Sequence, residues 1–250
     1  MRDTCVTEAI VLRSWAFGES DKIVSFFTHD YGKVSGIAKG AKRSRKRFVN
    51  TLEPFSLVKL YFQDRSHTSL VFVHACDLIR PFKDLTVSLE KIAYAFYLIE
   101  ITDELTRERE ENRPLFEHLK EGLAFVEERG TSLSFLALFE MKLLKMAGYQ
   151  PMLEHCRRCK KGWEPSSQTE WRFSLRDGGI LCAHCSLFRK ETLPLSQQAV
   201  GAMVGLQEKD LFLSHSSFPL SVLKESCSVL TRFIQFQINK ELKSASFVFA

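Results

Sequence analysis

The stretch from Lys22 to Arg47 reads KIVSFFTHDYGKVSGIAKGAKRSRKR, and the architecture of the first third of the chain follows from it. Lys22–Thr28 is an apolar run of strand length that ends at the turn His29-Asp30-Tyr31-Gly32. A shorter strand, Lys33–Ala38, follows and opens directly into a basic loop. Upstream, Val6, Glu8, Ile10 and Leu12 alternate with Ala9, Val11 and Arg13, the period-two signature of a half-buried strand. Downstream, strands are predicted over about Phe55–Phe62 and Ser69–Ala75, joined by a polar turn at Gln63–His67. Five short antiparallel strands in this span predict a small closed barrel, for which the OB-fold is the leading architecture. An SH3-like barrel has the same number of strands, and strand counting alone does not separate the two.

Pro81 marks a change of character. From Asp84 the apolar residues Leu85, Leu89, Ile92, Phe96 and Ile99 recur at helical spacing and run into a charged stretch, Asp103–Glu111. Pro114 begins a second helix, to about Glu128, closed by Gly130. Thr131 or Ser132 is placed to cap a third with the face Leu136, Phe139, Leu143 and Met146, ending at Gly148. Ser196 is placed to cap a helix reaching about Glu208, and a last helix carries Leu220, Leu223, Cys227, Leu230 and Ile234 on one stripe. The predicted fold class is α+β and multidomain. It has a five-stranded OB-fold barrel over residues 1–80 and a helical domain over residues 81–250, with a small metal module inserted at about residues 150–188.

The chain has 250 residues, 45 % of them hydrophobic and 26 % charged, as in an ordinary globular protein. No apolar run approaches the roughly 20 residues of a spanning helix, and the first residues, with Arg2, Asp3 and Glu8, lack a signal-peptide core. A cytoplasmic location is expected. The net charge of +5 is unevenly placed: residues 1–80 hold 13 Lys/Arg against 8 Asp/Glu, whereas residues 81–250 hold 22 of each. The excess centres on Lys39, Lys42, Arg43, Arg45, Lys46 and Arg47. Concentrated positive charge of this kind matches a polyanionic partner, the alternative being a merely solvated loop. Phosphates bound there would release counterions and make affinity fall with salt. Aromatic platforms beside a basic groove complete such a site on an OB-fold, and Tyr31, Phe48, Tyr61 and Phe72 are the candidates.

Of seven cysteines, four form two C-x-x-C pairs, Cys156/Cys159 and Cys182/Cys185. Without a secretory signal, paired thiols read as metal ligands rather than disulfides. Two such knuckles offer four thiolates to one tetrahedral zinc ion, and the intervening segment holds a predicted hairpin, Trp171–Leu175, turning at Asp177-Gly178-Gly179. A redox C-x-x-C leaves the second pair unexplained. His155 and His184 adjoin the cysteines, but four thiolates already close the shell, so the metal is expected to be structural. A zinc deaminase needs an H/C-x-E element and a Pro-Cys-x-x-Cys setting that neither pair has. Arg157, Arg158, Lys160 and Lys161 decorate the first knuckle as phosphate contacts or as solvation. No phosphate-loop, zincin, serine-hydrolase or dinucleotide-binding motif appears, so no catalytic centre is expected.

The residues Gly18-Glu19-Ser20-Asp21, Phe27-Thr28, Gly32-Lys33, Ala38-Lys39-Gly40-Ala41 and Leu52-Glu53-Pro54-Phe55 resemble the N-terminal signature of the bacterial RecO family. Gly148-Tyr149-Gln150-Pro151, the four cysteines and Gly178-Gly179 resemble that family's zinc region. One departure is the pair Arg45-Lys46, where family members often have Lys-Ser; the charge is kept. Beyond about Phe188 only the pattern matches. The resemblance implies an N-terminal OB-fold, a helical domain with a zinc module, and a recombination mediator. Such a protein binds single- and double-stranded DNA and anneals complementary strands without ATP. It cooperates with RecR to load RecA on DNA coated by single-strand DNA-binding protein, whose acidic C-terminal tail it contacts. A protein-interaction adaptor with no direct DNA role is the alternative from another functional class.

Overall fold

Five strands close on themselves in the first part of the chain: β1 (Cys5–Phe17), β2 (Asp21–Thr28), β3 (Gly32–Ala38), β4 (Leu57–Gln63) and β5 (Val71–Arg80). The structure is a computed structural model, and it describes residues 4–64, 69–165, 170–207 and 218–249. Neighbouring strands run β1-β2-β3-β5-β4 and return to β1. Every pairing is antiparallel except β3 with β5, which are parallel at Gly36↔Val71 and Ile37↔Phe72. A parallel closure belongs to the five-stranded Greek key of the OB-fold, not to the antiparallel SH3-like barrel, so the strand order settles the choice that counting left open.

The barrel interior is filled mainly by alternate residues of the five strands. Ala9, Val11, Val24, Phe26, Val34, Ala38, Val58, Leu60, Phe62, Val71 and Val73 form one buried cluster. Burial of a side chain the size of Phe26 contributes roughly 2 kcal/mol. β1 continues past its expected end at Arg13 to Phe17, with a bulge between Val11 and Arg13. β5 likewise runs on to Arg80. Of the turn expected at Gln63–His67, residues 65–67 lie outside the described residues.

The chain divides into two compact units, residues 1–130 with 246–250, and residues 131–245. In the first, a 3-10 turn at Lys83–Thr86 precedes α1 (Leu89–Leu105), and α2 (Arg113–Arg129) follows. Ser88 caps α1 by accepting from the Lys91 N–H, and Asn112 caps α2 by accepting from the Leu115 N–H. The expected apolar face of α1 is corrected in part. Leu85 belongs to the 3-10 turn, Leu89 is 85 % exposed, and Phe96 is 43 % exposed, resting edge-on against Phe55. The helix instead buries Ala95, Tyr97, Leu98, Ile99, Ile101 and Thr102, a band too wide for one stripe. It does so because α2 and the barrel take different sides of it, as the Arg13–Asp103 ion pair at 2.7 Å shows for the barrel side.

The second unit contains α3 (Leu133–Met146), β6 (Trp171–Ser174), β7 (Gly179–Cys182), the short α4 (Ala183–Ser186), β8 (Thr192–Leu195), α5 (Gln197–Gln207) and α6 (Leu220–Ile238). Along a last short helix, α7 (Ala245–Val248), the chain passes from the second unit back into the first. Ser132 caps α3 and Ser196 caps α5. The predicted end of α5 at Glu208 lies outside the described residues. On α6, Leu223, Cys227, Leu230 and Ile234 are buried as expected, whereas Leu220 is exposed. β8, which local sequence pattern does not predict, completes a sheet of order β7-β6-β8. Its outward partner is α6, through Phe173 and Phe233 at 5.1 Å. Among the described residues no helix is long and apolar enough to cross a membrane.

Two glycines test this account of the barrel. Gly32 has φ +62°, and a Cβ there would fall within 2.2–2.8 Å of the Glu110 backbone. Gly18 has φ +57° with nothing within 4 Å of the same position. Gly32→Ala is expected to cost about 3 kcal/mol, since strain and overlap combine, and Gly18→Ala about 1 kcal/mol from strain alone. Urea denaturation measures both, and equal costs would contradict the packing described.

Candidate nucleic-acid interface and metal centre

The loop between β3 and β4, residues 39–56, is where the predicted cations fall, and it is tethered rather than loose. A 3-10 turn at Ala41–Arg43 rests on the β1–β2 turn: the Lys42 N–H donates to the Ser20 carbonyl at 2.9 Å, and Lys42 Nζ donates to the Gly18 carbonyl at 2.8 Å. The Gly40 N–H donates to Asp21 Oδ1 at 2.8 Å. That bond, with the Ser20 hydroxyl and the nearby Lys39 and Lys42 ammoniums, lowers the Asp21 pKa. On the far side the Cys76 N–H donates to the Arg47 carbonyl at 3.0 Å. Phe48, Leu52 and Phe55 are buried and turn the loop's apolar side inward. Mutual repulsion among the cations would hold such a loop open; its buried aromatics and hydrogen bonds oppose that repulsion.

All six cations are exposed. Arg47 is committed to its own loop: its guanidinium donates to the Lys39 carbonyl at 2.9 Å and lies 5.0 Å from the Phe48 ring centroid. Lys39, Arg43, Arg45 and Lys46 make no side-chain hydrogen bond or ion pair among the described residues. Arg43, Arg45 and Lys46 turn their charge to solvent, and Lys39 does so with only the Asp21 carboxylate near it among the described residues. Phe48, one of the expected platforms, is instead a buried anchor, and Tyr61 and Phe72 are half-buried.

Tyr31 is not brought to this cluster. It precedes β3, whereas Lys39 follows it, and seven strand residues separate their ends by roughly 20 Å. Its ring meets Phe62 edge-on at 5.2 Å. A hydrogen bond with Cys5, then burial, raises its pKa. It lines an open cleft with Asp30, Asp64, Arg109 and Glu111, a mainly acidic neighbourhood. Two aromatics absent from the expected platforms do lie at the basic end of the barrel. Trp15 is 45 % exposed and Phe17 is 49 % exposed, both on the extension of β1 beyond Arg13. The alternation Arg13, Trp15, Phe17 carries the signal, but a strand ending at Arg13 leaves it out.

In the second unit the two cysteine pairs converge: the four Sγ atoms of Cys156, Cys159, Cys182 and Cys185 all lie within 4.8 Å of one another. Cys159 Sγ and Cys182 Sγ are 3.7 Å apart. A tetrahedron with metal–sulfur bonds of ~2.3 Å has edges of ~3.8 Å, so the set fits one zinc-sized ion. The fit has local causes. The first knuckle docks on β7, the Arg157 N–H donating to the Ile180 carbonyl at 2.9 Å, while the Lys160 N–H returns to the Cys156 carbonyl at 3.0 Å. Lys160 turns the chain with φ +63°. The second knuckle is the end of β7 running into α4.

Burial works to raise the Cys156 thiol, but N–H groups at Cys159, Cys182 and Arg158 aimed at its sulfur outweigh that and bring it down to about 6. Burial and the neighbouring sulfurs push Cys185 up to about 12. This is the pattern of several thiols crowded together, for which a bound cation removes the competition for protons. His155 and His184 stand outside the set: His155 Nε2 lies 3.4 Å from Lys160 Nζ, and His184 meets the Phe188 ring at 5.8 Å. Arg157, Arg158, Lys160 and Lys161 are all exposed around the first knuckle.

The chain has counterparts among known proteins. Residues 1–82 match the family described as Recombination protein O N terminal, and residues 87–246 match Recombination protein O C terminal. The chain is 36 % identical over 246 residues to the DNA repair protein RecO of Syntrophus aciditrophicus, covering 97 % of this chain and 94 % of that one. It is 34 % identical over 248 residues to the protein of the same name from Anaeromyxobacter dehalogenans, covering 98 % and 96 %. With that from Syntrophobacter fumaroxidans it shares 40 % identity over 192 residues, covering 77 % and 75 %. Matched from its first strand to its last long helix, and in one order throughout, the chain belongs to the recombination protein O (RecO) family.

Proposed function

We propose that the chain is a DNA-binding recombination mediator in DNA repair. Residues 1–80 serve as its OB-fold nucleic-acid-binding domain, and residues 81–250 form a helical domain that carries the metal module at about 150–188. The observation that carries this reading is the tethered loop, with Lys39, Lys42, Arg43, Arg45, Lys46 and Arg47 exposed on one end of an OB-type barrel and no carboxylate paired to them among the described residues. The names of the relatives supply the setting, DNA repair.

The proposed mechanism needs no catalytic group. Two complementary strands repel through their phosphates, and a cationic surface that neutralises backbones leaves the base edges free to pair. Single- and double-stranded DNA are both bound, strands anneal without ATP, and no enzymatic step is assigned to the chain. Its partners on this reading are RecR and the acidic C-terminal tail of single-strand DNA-binding protein, and it acts in the cytoplasm at the nucleoid to help load RecA. The ion held by the four cysteines is proposed to be zinc. A closed shell of four thiolates supplies cross-linking, not Lewis-acid chemistry, and replaces the apolar core that so small a module lacks.

Two experiments test the proposal. Replacing Arg43, Arg45 and Lys46 together by Ala should weaken binding of a labelled single-stranded oligonucleotide. The slope of log affinity against log salt should also flatten by roughly 0.7 for each phosphate the loop no longer neutralises. An unchanged slope would remove the loop from the interface. Metal analysis should find one zinc per chain, and Cys182→Ser should lose it and expose residues 150–188 to protease. A metal-free variant as resistant as its parent would overturn the structural role.

A further inference from the structure

The cysteines of the chain differ sharply in exposure. In the metal module Cys156 is fully buried, Cys182 and Cys185 are buried, and Cys159 is exposed. Outside it Cys76 and Cys227 are buried and Cys5 is half-buried. Cys159 is thus the exposed one of the seven, and it belongs to a cluster of thiols. A sulfur that is both open to solvent and close to a second sulfur can be oxidised and then resolved as a disulfide.

The neighbours of Cys159 name its partner. Cys182 Sγ, on the other knuckle, lies 3.7 Å away. Bonding asks for a further approach of under about 2 Å, within reach of side-chain rotation. Cys156 is the rival within its own pair, but its sulfur accepts the Cys182 N–H at 3.5 Å and shows no surface to solvent. Arg158 and Lys160 flank Cys159 and are both exposed. Cations so placed stabilise the negative charge that a peroxide sheds when a sulfur attacks it.

Main-chain bonds hold the two knuckles side by side. The Arg157 N–H donates to the Ile180 carbonyl at 2.9 Å, the Ile180 N–H to the Met152 carbonyl at 3.0 Å, and the Met152 N–H to the Gly178 carbonyl at 3.0 Å. The segment carrying Cys156 and Cys159 is thereby laid along β7, whose last residue is Cys182. None of these bonds involves a sulfur, so they keep Cys159 and Cys182 together while the thiolates react.

Building on the zinc reading above, we propose that Cys159 is a site of oxidation by peroxides, closing a reversible disulfide with Cys182 as the ion is released. A metal-bound sulfur is already a thiolate. The Cys159 sulfur attacks hydrogen peroxide; an S–O bond forms, the O–O bond breaks and hydroxide leaves. The Cys182 thiolate then attacks that sulfur; the S–S bond forms, the S–O bond breaks and a second hydroxide leaves. The two sulfurs together lose two electrons, and the peroxide gains them. Cys156 and Cys185 alone leave the shell two ligands short, so the ion departs. The disulfide joins the same two knuckles that the ion joined, and one cross-link replaces the other.

The test treats the full-length, zinc-loaded chain with hydrogen peroxide, stops the reaction with catalase, alkylates the remaining thiols and maps the peptides. The expected result is complete loss of zinc, a Cys159–Cys182 cross-linked peptide, and alkylated Cys76, Cys156, Cys185 and Cys227. Residues 150–188 should stay resistant to protease after oxidation, whereas stripping zinc with a chelator in reducing buffer should expose them. A phosphine reductant with added zinc should restore the ion. Cys159→Ser loaded with zinc should form no cross-link under peroxide; if that variant does not hold zinc, the peptide map of the unaltered chain decides. Zinc retained under peroxide, or lost with a bridge inside either C-x-x-C pair, overturns the inference and leaves the structural zinc in place. A purified chain that carries no zinc removes the metal reading itself, and the inference with it.

Discussion

The parallel pairing of β3 with β5 is the constraint on which the first unit depends. Antiparallel neighbours can be joined by a tight turn, but a parallel pair obliges the chain to leave the sheet and come back. Here β4 intervenes in sequence, so the chain leaving β3 at Ala38 crosses the end of the barrel before entering β4 at Leu57. That crossing is the basic loop. Its apolar residues Phe48 and Leu52 join the barrel core, and its cations are left on the outside because nothing inside can neutralise them. One segment therefore completes the core and carries the charge.

The second unit meets a different shortage. The stretch carrying the cysteines has one three-stranded sheet of four-residue strands. Its sheet gains apolar partners from α6, as in the contact of Phe173 with Phe233. Next to the first knuckle, Trp163 lies against Gly201 of α5, and the convergence of four sulfurs adds to this packing. α3 and α6 supply the conventional core, even burying Glu140 beside the Thr231 hydroxyl at 2.9 Å.

Much of this is legible in the residues. Alternation in Val6–Arg13 and the apolar run Lys22–Thr28 reveal strands, the second because Ile23–Thr28 is buried throughout. The two C-x-x-C pairs foretell the four-thiol cluster, because such spacing has few other uses. What escapes the sequence is whatever depends on neighbours distant along the chain. The face of α1 is misjudged because two partners bury it, a fact absent from its own periodicity. Tyr31 and Lys39 flank one short strand, yet a strand carries its two ends apart, and only the fold shows on which end each sits. β8 is four residues long and includes a proline, too little for any local signal.

The way the basic loop is anchored has a consequence for kinetics. A floppy polycation must surrender its freedom each time an anion is captured, and that ordering cost slows capture and weakens the bound state. With Phe48 and Leu52 sunk in the barrel and Arg47 bracing its own backbone, much of that cost is met once, when the chain folds. On the DNA-binding proposal, an arriving backbone would meet cations whose main-chain positions are already set. Contacts of this kind form fast and individually break fast, so a long polyanion can shift along the surface without ever letting go of all of it.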